Sequence, residues 1–455
     1  MSSSHPPWLT SLLNDTSPAP RIYRWTPNKH QPPGPPPDDP RRIFILGVGN
    51  IGRLYAVHLT RHRPNPPPIT LVLHRRDLLD HWIADPGIEI SRDGGKIVEK
   101  TVDGLDVEYW TDDPPPADEG SSSEIGPLIS NIIIATKADA ALPQADRLRR
   151  YLGPSSTVAF AQNGISKMWP PHGRLYASHR WPAGDAPSFA ACITTHGVLS
   201  HGLFRSEHAS VADAKIGLVM PSPIRPRGSE YLLDTVATAP GLESRRVSRA
   251  DLWVLQLEKL VVNSIINPIT AILRCKNGVL FAEPSGVLVD VMNRVLHETS
   301  RVYQALVDHP STAEILMDPD SPGHSTLGTE AKSLDAIRRD LTDRFAVGAL
   351  RAMLWRVGHQ VSLNTSSMLQ DVRAGRRTEI REFNGWIVDT AHFLSAGTST
   401  STDHTRSSNT STDPARCQAG QQHQDLDVST HRALIDLVES GKTLDQSELG
   451  RAISG

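Results

Sequence analysis

The chain has 455 residues, enough for two or three domains, and 38% of them are hydrophobic, so it can form a sizeable core. Its 47 Lys and Arg against 50 Asp and Glu give a formal net charge of −3, which does not favour nucleic-acid binding. No apolar run approaches the ~20 residues that cross a bilayer, no secretory signal opens the chain, and the three cysteines are far apart. We therefore expect a soluble intracellular protein without a membrane partner, in the cytoplasm or, as the alternative, in mitochondria.

The N-terminal segment is rich in proline. Residues 1–40 contain 11 prolines and end in QPPGPPPDDP. Such a segment lacks the apolar area needed to offset its ordering entropy, so the composition predicts a disordered tail. An alternative interpretation is that its PxxP spacing docks into an SH3-type groove.

Alternating strands and helices begin at Arg42. RIFIL reads as a strand, GVGNIG as a glycine turn, and the residues after it as an amphipathic helix. ITLVLH, NIIIATKA, TVAFAQNG, SFAACITTHGV and AKIGLVM are further strand candidates, and some are apolar throughout, which is typical of buried parallel strands. The pattern predicts βαβ units and a Rossmann-like α/β domain over 41–245.

The pattern changes to helices from Asp251 onward. We predict helices over DLWVLQLEKLVVNSIINPITAIL, VLVDVMNRVLHETSRVYQALV, the stretch around 334–357, a stretch beginning near Glu379, and HRALIDLVESG. An all-α domain is therefore expected over 246–455. Residues 395–415 contain 12 Ser and Thr, which predicts a disordered insertion at about 395–425.

The motif GVGNIG has the glycine pattern of dinucleotide-binding turns. Gly47 would allow the tight turn, Gly49 would let the backbone approach a pyrophosphate, and Gly52 would let helix and strand pack closely. Alone the pattern is weak, but it follows a strand and opens a helix, as the function requires. The expected cofactor-binding residues of the turn are Gly47, Val48, Gly49, Asn50, Ile51 and Gly52.

The end of the second strand indicates the cofactor. An NAD site usually has Asp or Glu there, whereas this strand ends in His74, Arg75 and Arg76 before the first acid, Asp77. A guanidinium binds a dianionic 2′-phosphate through charge-assisted bonds, so the sequence favours NADP(H). The alternative is a pair of solvated surface arginines, because Asp77 lies close by.

A polar stripe follows the apolar helix around Lys259. Lys259, Asn263 and Asn267 are spaced four apart, so they share one face of the helix, and Pro268 follows with an expected kink. One interpretation is a snorkelling lysine with structural amides. The other is that the stripe lines a cleft where a substrate completes its hydrogen bonds and a desolvated lysine transfers a proton.

These motifs together resemble the ketopantoate reductase (2-dehydropantoate 2-reductase) family. GVGNIG, ATKA, QNGIS, EKLVVNSIINPITAIL and SSMLQDVRAGRRTEIREFNG occur in the family's order over about residues 41–394, and the long insertions are like those of fungal members. The resemblance implies a Rossmann-like domain followed by a helical domain of the 6-phosphogluconate-dehydrogenase-like type, with the active site in the cleft between them. It implies reduction of 2-dehydropantoate to (R)-pantoate by NADPH, in pantothenate and coenzyme A biosynthesis, without a metal.

The resemblance also assigns roles to residues. Lys259 is implied as the catalytic lysine and general acid, with Glu379 beside it as a catalytic, substrate-binding and cofactor-binding residue. The implied substrate-binding residues are Asn163, Asn263, Asn267 and Ser367. The implied cofactor-binding residues beyond the glycine turn are Arg75, Lys137 and Asn163, with Arg75 and Lys137 gripping the 2′-phosphate.

One motif departs from the family. Before its last helix the family usually has V-x-T-P-x-N, whereas Val428 to Arg432 read VSTHR here. The resemblance therefore does not establish which residues form the outer wall of the substrate pocket. Two alternatives follow: a family reductase that acts on another branched 2-keto acid, or a non-catalytic NADP-binding relative with a regulatory role. The expected partner is a small 2-keto acid, and a homodimer is left open.

Overall fold

The computed structural model describes residues 5–25, 39–113, 122–126, 128–225, 227–318, 332–397 and 426–454. The chain divides into two units. One, here called the Rossmann-like unit, comprises Leu12–Gln256 and Met317–Glu330; the other, the helical unit, comprises Met1–Ser11, Leu257–Leu316 and Ala331–Gly455. Within the described residues, none of the helices combines the length and the apolar character that a membrane crossing demands.

Each of the six predicted apolar runs contains a described strand, and further strands lie outside them. In chain order they are β1 (Tyr23–Trp25), β2 (Ile43–Leu46), β3 (Ile69–Leu73), β4 (Ile88–Arg92), β5 (Ile97–Thr101), β6 (Leu105–Thr111), β7 (Ser122–Glu124), β8 (Asn131–Ile134), β9 (Thr157–Phe160), β10 (Ser188–Thr194), β11 (Gly197–Ser200), β12 (Arg205–Ser210), β13 (Ala214–Met220) and β14 (Ser244–Arg246).

The described helices are, in chain order, α1 (Pro7–Asn14), α2 (Asn50–Leu59), α3 (Arg76–Ala84), α4 (Ala138–Arg147), α5 (His172–Arg180), α6 (Glu230–Ala237), α7 (Arg249–Leu273), α8 (Val287–Asp308), α9 (Ala313–Leu316), α10 (Leu334–Arg344), α11 (Val347–Gln360), α12 (Ser367–Arg373), α13 (Ile380–Gly397), α14 (Ser429–Glu439) and α15 (Gln446–Ser454). The stretch around 334–357 is two helices rather than one, since α10 ends at Arg344 and α11 starts at Val347.

The Rossmann-like unit is built on a large twisted sheet. Its strand order is β14-β13-β10-β9-β8-β2-β3-β6-β1-β7, and the run from β10 to β6 is parallel. The parallel strands β3, β8 and β9 are buried at every position, as expected when both faces of a sheet are covered. A second sheet has the order β11-β12-β4-β5. The predicted α/β domain is therefore confirmed.

The N-terminal segment is ordered where it is described, so the prediction of a disordered tail over 1–40 is wrong for residues 5–25. Residues Pro7–Asn14 form α1, and β1 pairs antiparallel with both β6 and β7. The proline count misled because it ignores the few apolar residues between the prolines: Leu9 and Ile22 are completely buried. Residues 26–38 lie outside the described part of the chain.

The helical unit contains helices from Leu257 onward, as predicted, but it begins later than residue 246. The division falls after Gln256, inside α7. The first turns of α7 pack on strand β13, because the Arg249 Nε atom donates to the Val219 carbonyl at 2.7 Å. The Ser/Thr-rich insertion also begins later than predicted, since α13 continues to Gly397, and residues 398–425 lie outside the described part.

Candidate active site

The predicted cofactor-binding residues follow the carboxyl ends of four adjacent parallel strands. Asn163 follows β9, Lys137 follows β8, the glycine turn follows β2, and Arg75 follows β3, and these strands are neighbours in the order β9-β8-β2-β3. From β2 the chain first builds strands on one side and later returns to build β8 on the other. Ligands of open α/β sheets bind at such a switch point, outside the carboxyl ends of the strands.

Gly47 makes the tight turn that the sequence predicts. Its φ is +99°, a conformation that side chains disfavour. A Cβ atom there would also lie 2.7 Å from the Ala135 carbonyl carbon and 2.8 Å from the Thr136 nitrogen, at the end of β8. A residue larger than glycine would therefore push apart the two strands that form the switch point.

Gly52 and Gly49 have the other two predicted roles. A Cβ on Gly52 would lie 2.0 Å from the Gly47 carbonyl oxygen, so only glycine lets α2 pack this closely on the turn. A Cβ on Gly49, in contrast, would meet nothing within 4 Å, and Gly49 is the N-cap of α2 without a side chain capping the helix. The open space at the helix N-terminus fits the pyrophosphate of a dinucleotide.

The other residues of the turn offer backbone rather than side chains. Val48 is buried and Ile51 is half-buried. The side chain of Asn50 is turned to the smaller sheet, where it donates to the Val198 carbonyl at 3.2 Å and accepts from the Ser206 hydroxyl at 3.1 Å. A cofactor would therefore meet main-chain N–H groups at Val48, Asn50 and Ile51.

Two cations flank the glycine turn. Arg75 is the N-cap residue of α3, its side chain is 53% exposed, and its guanidinium lies 3.3 Å from the Asp77 carboxylate. Lys137 is exposed and immediately precedes α4. The adjacent Arg76 is engaged elsewhere: its guanidinium lies 4.9 Å from the centre of the Trp25 ring and 3.3 Å from Asp80. Arg75 is therefore the arginine available for a phosphate.

Asn163 lies in the loop after β9 and is half-buried. The loop turns at Gly164, whose φ is +84°. Beside it, the Oε1 atom of Gln162 is buried and has no hydrogen-bond partner among the described residues. A polar acceptor left unmet in this loop is consistent with a site that a ligand completes.

The lysine stripe follows the least buried face of α7 within the helical unit. Most positions of the helix are buried, whereas Glu258, Lys259, Val262 and Asn263 are half-buried, at the spacing of one helical face. Asn267 is buried, at 7% exposure. The three predicted polar residues therefore run from a half-buried position into the interior of the unit.

Ser367 and Glu379 have different surroundings. Glu379 is buried and immediately precedes α13, whereas Ser367 is exposed and opens α12. Of the two adjacent serines, Ser366 is the buried one. It caps α12, and its hydroxyl lies 2.7 Å from the Thr270 hydroxyl of α7. This bond joins α12, which carries Ser367, to α7, which carries Lys259 and is here called the lysine helix.

Residues outside the predicted set complete the polar interior of the helical unit. His431 of the divergent VSTHR segment is completely buried, Asn384 of α13 is completely buried, and Glu298 of α8 is 7% exposed. Sequence reasoning missed them because they lie on α14, α13 and α8, far apart in the chain, and come together only in the folded unit. The departure at VSTHR was the signal that could have found His431.

His196 is a buried residue of the Rossmann-like unit. Its Nε2 atom bonds the Leu242 carbonyl at 2.9 Å, and its Nδ1 atom accepts from the Ala212 N–H at 3.1 Å and contacts His208 at 3.0 Å. Both ring nitrogens are thus satisfied within the protein.

Comparisons with known proteins match this arrangement. The family model described as ketopantoate reductase PanE/ApbA matches residues 43–220, and the model of its C-terminal domain matches residues 251–401. Ketoisovalerate reductase BEA2 of Gibberella fujikuroi is 42% identical over 482 residues, and the ketoisovalerate reductase of Beauveria bassiana is 39% identical over 490 residues; each alignment covers 99% of both chains. A PanE/ApbA family ketopantoate reductase structure from Ralstonia eutropha JMP134 is similar in fold, with a TM-score of 0.55 and 17% identity, covering 88% of this chain and 98% of that one.

The family models together span most of the chain: the first match ends at residue 220 and the second begins at residue 251, near the start of α7. The resemblance inferred from the motifs is confirmed, and so is the fold class that it implied. The chain belongs to the ketopantoate reductase family and is an oxidoreductase with a Rossmann-like unit followed by a helical unit.

Proposed function

We propose that the chain catalyses the NADPH-dependent reduction of a branched 2-keto acid, and that 2-ketoisovalerate is preferred over 2-dehydropantoate. The observation that supports this choice is full-length similarity to two proteins named ketoisovalerate reductases, at 42% and 39% identity. The alternative stated from the sequence, another branched 2-keto acid, is therefore favoured over ketopantoate. A non-catalytic role is disfavoured because Lys259, Asn263, Ser367 and Glu379 are all retained.

The residues of the Rossmann-like unit are proposed to hold the cofactor. The open space at Gly49 would receive the pyrophosphate at the N-terminus of α2, and Arg75 and Lys137 would bind the 2′-phosphate. Bound NADPH supplies a hydride to the keto carbon of the substrate. The selectivity for NADPH over NADH would then come from two surface cations beside the turn.

The helical unit is proposed to supply the proton. As the keto carbon gains a hydride, negative charge develops on the carbonyl oxygen, and this oxygen must be protonated to give the hydroxy acid. An ammonium group stabilises that charge and donates the proton, which is the role proposed for Lys259. The half-buried position of Lys259 keeps the group accessible to a substrate while limiting its contact with water.

The remaining polar residues are proposed to orient the substrate. Asn263 and Ser367 would hydrogen-bond its carboxylate end, Asn163 would lie where cofactor and substrate meet, and Asn267 would extend the polar face of α7. Glu379, buried before α13, would keep the lysine charged. 2-Ketoisovalerate lacks the whole terminal hydroxymethyl group of 2-dehydropantoate, so a smaller pocket without a partner for that group would favour the former.

Steady-state kinetics test the proposal directly. NADPH absorbance is followed with 2-ketoisovalerate, 2-dehydropantoate and an unbranched 2-keto acid as the control. We expect kcat/KM for 2-ketoisovalerate to exceed that for 2-dehydropantoate by about tenfold or more, which is the discrimination a single pocket group can supply. A preference for 2-dehydropantoate would instead support ketopantoate reduction, as the sequence motifs first implied. No turnover with any substrate would support a non-catalytic NADP-binding role.

The homodimer left open by the sequence becomes a separate proposal. Light scattering coupled to gel filtration, at enzyme concentrations used in the assay, would distinguish a dimer from a monomer of 49.8 kDa.

A further inference from the structure

Pro268 interrupts the hydrogen-bond ladder of the lysine helix. In an α-helix each N–H donates to the carbonyl four residues earlier, and proline has no N–H. Pro268 lies inside α7, so the Ser264 carbonyl lacks its regular donor. Ser264 is completely buried, and a buried carbonyl without a donor is costly. A donor from elsewhere in the fold would stabilise the helix at this position.

Asn384 supplies that donor. The Nδ2 atom of Asn384, on α13, donates to the Ser264 carbonyl at 2.9 Å, and Asn384 is completely buried. The two residues are 120 positions apart in the chain. This bond joins α13, which begins directly after Glu379, to α7 between Lys259 and Pro268.

His431 orients the amide of Asn384. The second hydrogen of the Asn384 amide points to the His431 Nδ1 atom at 3.1 Å. On its other side the His431 Nε2 atom lies 3.1 Å from the Thr299 hydroxyl, whose own hydrogen goes to the Val295 carbonyl at 2.8 Å. The hydroxyl must therefore accept from Nε2–H, which leaves Nδ1 as an acceptor and fixes the amide with its nitrogen toward Ser264.

His431 is itself held in place. Glu298 of α8 accepts the backbone N–H of Thr430 at 2.9 Å through one carboxylate oxygen and that of His431 at 3.2 Å through the other. A carboxylate at the first turn of α14 also interacts favourably with the helix dipole. These hydrogen bonds form a chain, here called the relay, that starts at Glu298 on α8, passes through His431 and Asn384, and ends at the Ser264 carbonyl of α7.

We propose that His431 and Asn384 are positioning residues for the reduction. By supplying the donor that Pro268 lacks, they fix α7, with Lys259, Asn263 and Asn267, against the start of α13 with Glu379. The inference rests on the proposed function of Lys259 and Glu379. Neither positioning residue needs to touch the substrate, because each acts through the backbone of the lysine helix.

Substitution of Pro268 gives a specific test of the relay. Asn384→Leu removes the donor at similar volume, and Pro268→Ala restores a backbone N–H that can serve the Ser264 carbonyl. We expect Pro268→Ala to raise the Tm of Asn384→Leu much more than it raises the Tm of the wild type. Equal increments in both backgrounds would overturn the relay, since the two sites would then act independently.

Kinetics then separate positioning from stability alone. For the folded fraction of Asn384→Leu we expect kcat with 2-ketoisovalerate to fall about tenfold or more, the Kd of NADPH to stay within about twofold, and Pro268→Ala to recover most of kcat. His431→Leu should behave like Asn384→Leu, and His431→Asn, which keeps an acceptor, should retain more activity. A matched control is Thr390→Val, which removes a buried hydroxyl of α13 that, among the described residues, bonds the Trp386 carbonyl of its own helix.

Each outcome is decisive. A coupled Tm with unchanged kcat would leave a structural relay and overturn the positioning role. If the wild-type protein reduces no 2-keto acid, the proposed function fails and the positioning role fails with it, while the Tm coupling between Asn384 and Pro268 still decides whether the relay exists.

Discussion

The glycine turn is determined by local residues, whereas the lysine helix depends on residues that are distant in the sequence. The turn lies within six consecutive residues, and its properties follow from backbone sterics: a φ of +99° at Gly47 and a missing Cβ at Gly52. The lysine helix depends instead on residues that are remote in sequence, since Ser264, Thr299, Asn384 and His431 meet only in the folded unit. A local motif can be recognised in the sequence, whereas hydrogen bonds between distant residues can be recognised only in the three-dimensional structure.

The largest expected effect concerns the lysine. Lys259→Ala removes the proposed proton donor, so kcat should fall about 10²- to 10⁴-fold, the usual contribution of a positioned acid. The Kd of NADPH, measured by fluorescence titration, should remain close to the wild-type value. The matched control is Lys276→Ala, an exposed lysine beyond the end of the same helix. Unchanged turnover in Lys259→Ala would refute its role as the acid.

Next in size, the glycine turn should separate stability from cofactor binding. Gly47→Ala combines an unfavourable φ with a contact of 2.7 Å on the backbone of Ala135, so it should lower both the Tm and NADPH affinity. Gly49→Ala enters open space, so it should leave the Tm nearly unchanged while weakening NADPH about tenfold or more.

Gly348→Ala is the control for the glycine pair, because it lies inside α11 and its added methyl would meet nothing within 4 Å. It should leave NADPH binding unchanged. Equal NADPH affinity in Gly49→Ala and wild type would show that the open space at the N-terminus of α2 does not receive the pyrophosphate.

The parts of the fold that sequence predicted share one property. The buried strands β3, β8 and β9 are apolar except for one polar residue each, and the long helices α7 and α8 have a continuous helical pattern. The local pattern of apolar residues is therefore enough to predict these elements. The N-terminal strand β1 was missed because its three residues are stabilised by pairing with β6 and β7 and not by their own pattern.

The same limit applies to the site. Lys259, Asn263 and Asn267 are visible as a stripe because helical spacing is local. Asn384 and His431 are not, since each looks like an ordinary polar residue until Pro268 leaves a carbonyl without a donor. His58 gives another example: it is buried on α2 and bonds the Pro240 carbonyl at 2.8 Å, a partner 182 residues away in the chain.

A moderate, selective effect is expected at Arg75. Arg75→Ala should weaken NADPH about 10- to 100-fold, the loss of one or two charge-assisted hydrogen bonds, and should change NADH binding little. Arg76→Ala is the control, because that guanidinium is held by Trp25 and Asp80. If Arg75→Ala weakened the binding of NADPH and NADH equally, Arg75 would not be the residue that binds the 2′-phosphate.

The smallest effect concerns pH, and it compares the histidines of the two units. Burial lowers the pKa of His58 and His208 to about 4 in the Rossmann-like unit, and that of His431 to about 3 in the helical unit. The unfolded chain takes up protons at these histidines near their ordinary pKa of about 6.5, while the folded chain does not. Their stabilising contribution is therefore complete above pH 6.5 and decreases as the pH falls toward 4.

Thermal unfolding measured between pH 8 and 5 checks this expectation. The Tm of the wild type should fall below pH 6.5, and the double substitution His58→Gln and His208→Gln should flatten that fall although it lowers the Tm at pH 8. His201→Gln is the control, since that histidine is exposed and lies at the surface beside Glu207. A slope unchanged by the double substitution would mean that these two buried rings do not cause the acid sensitivity.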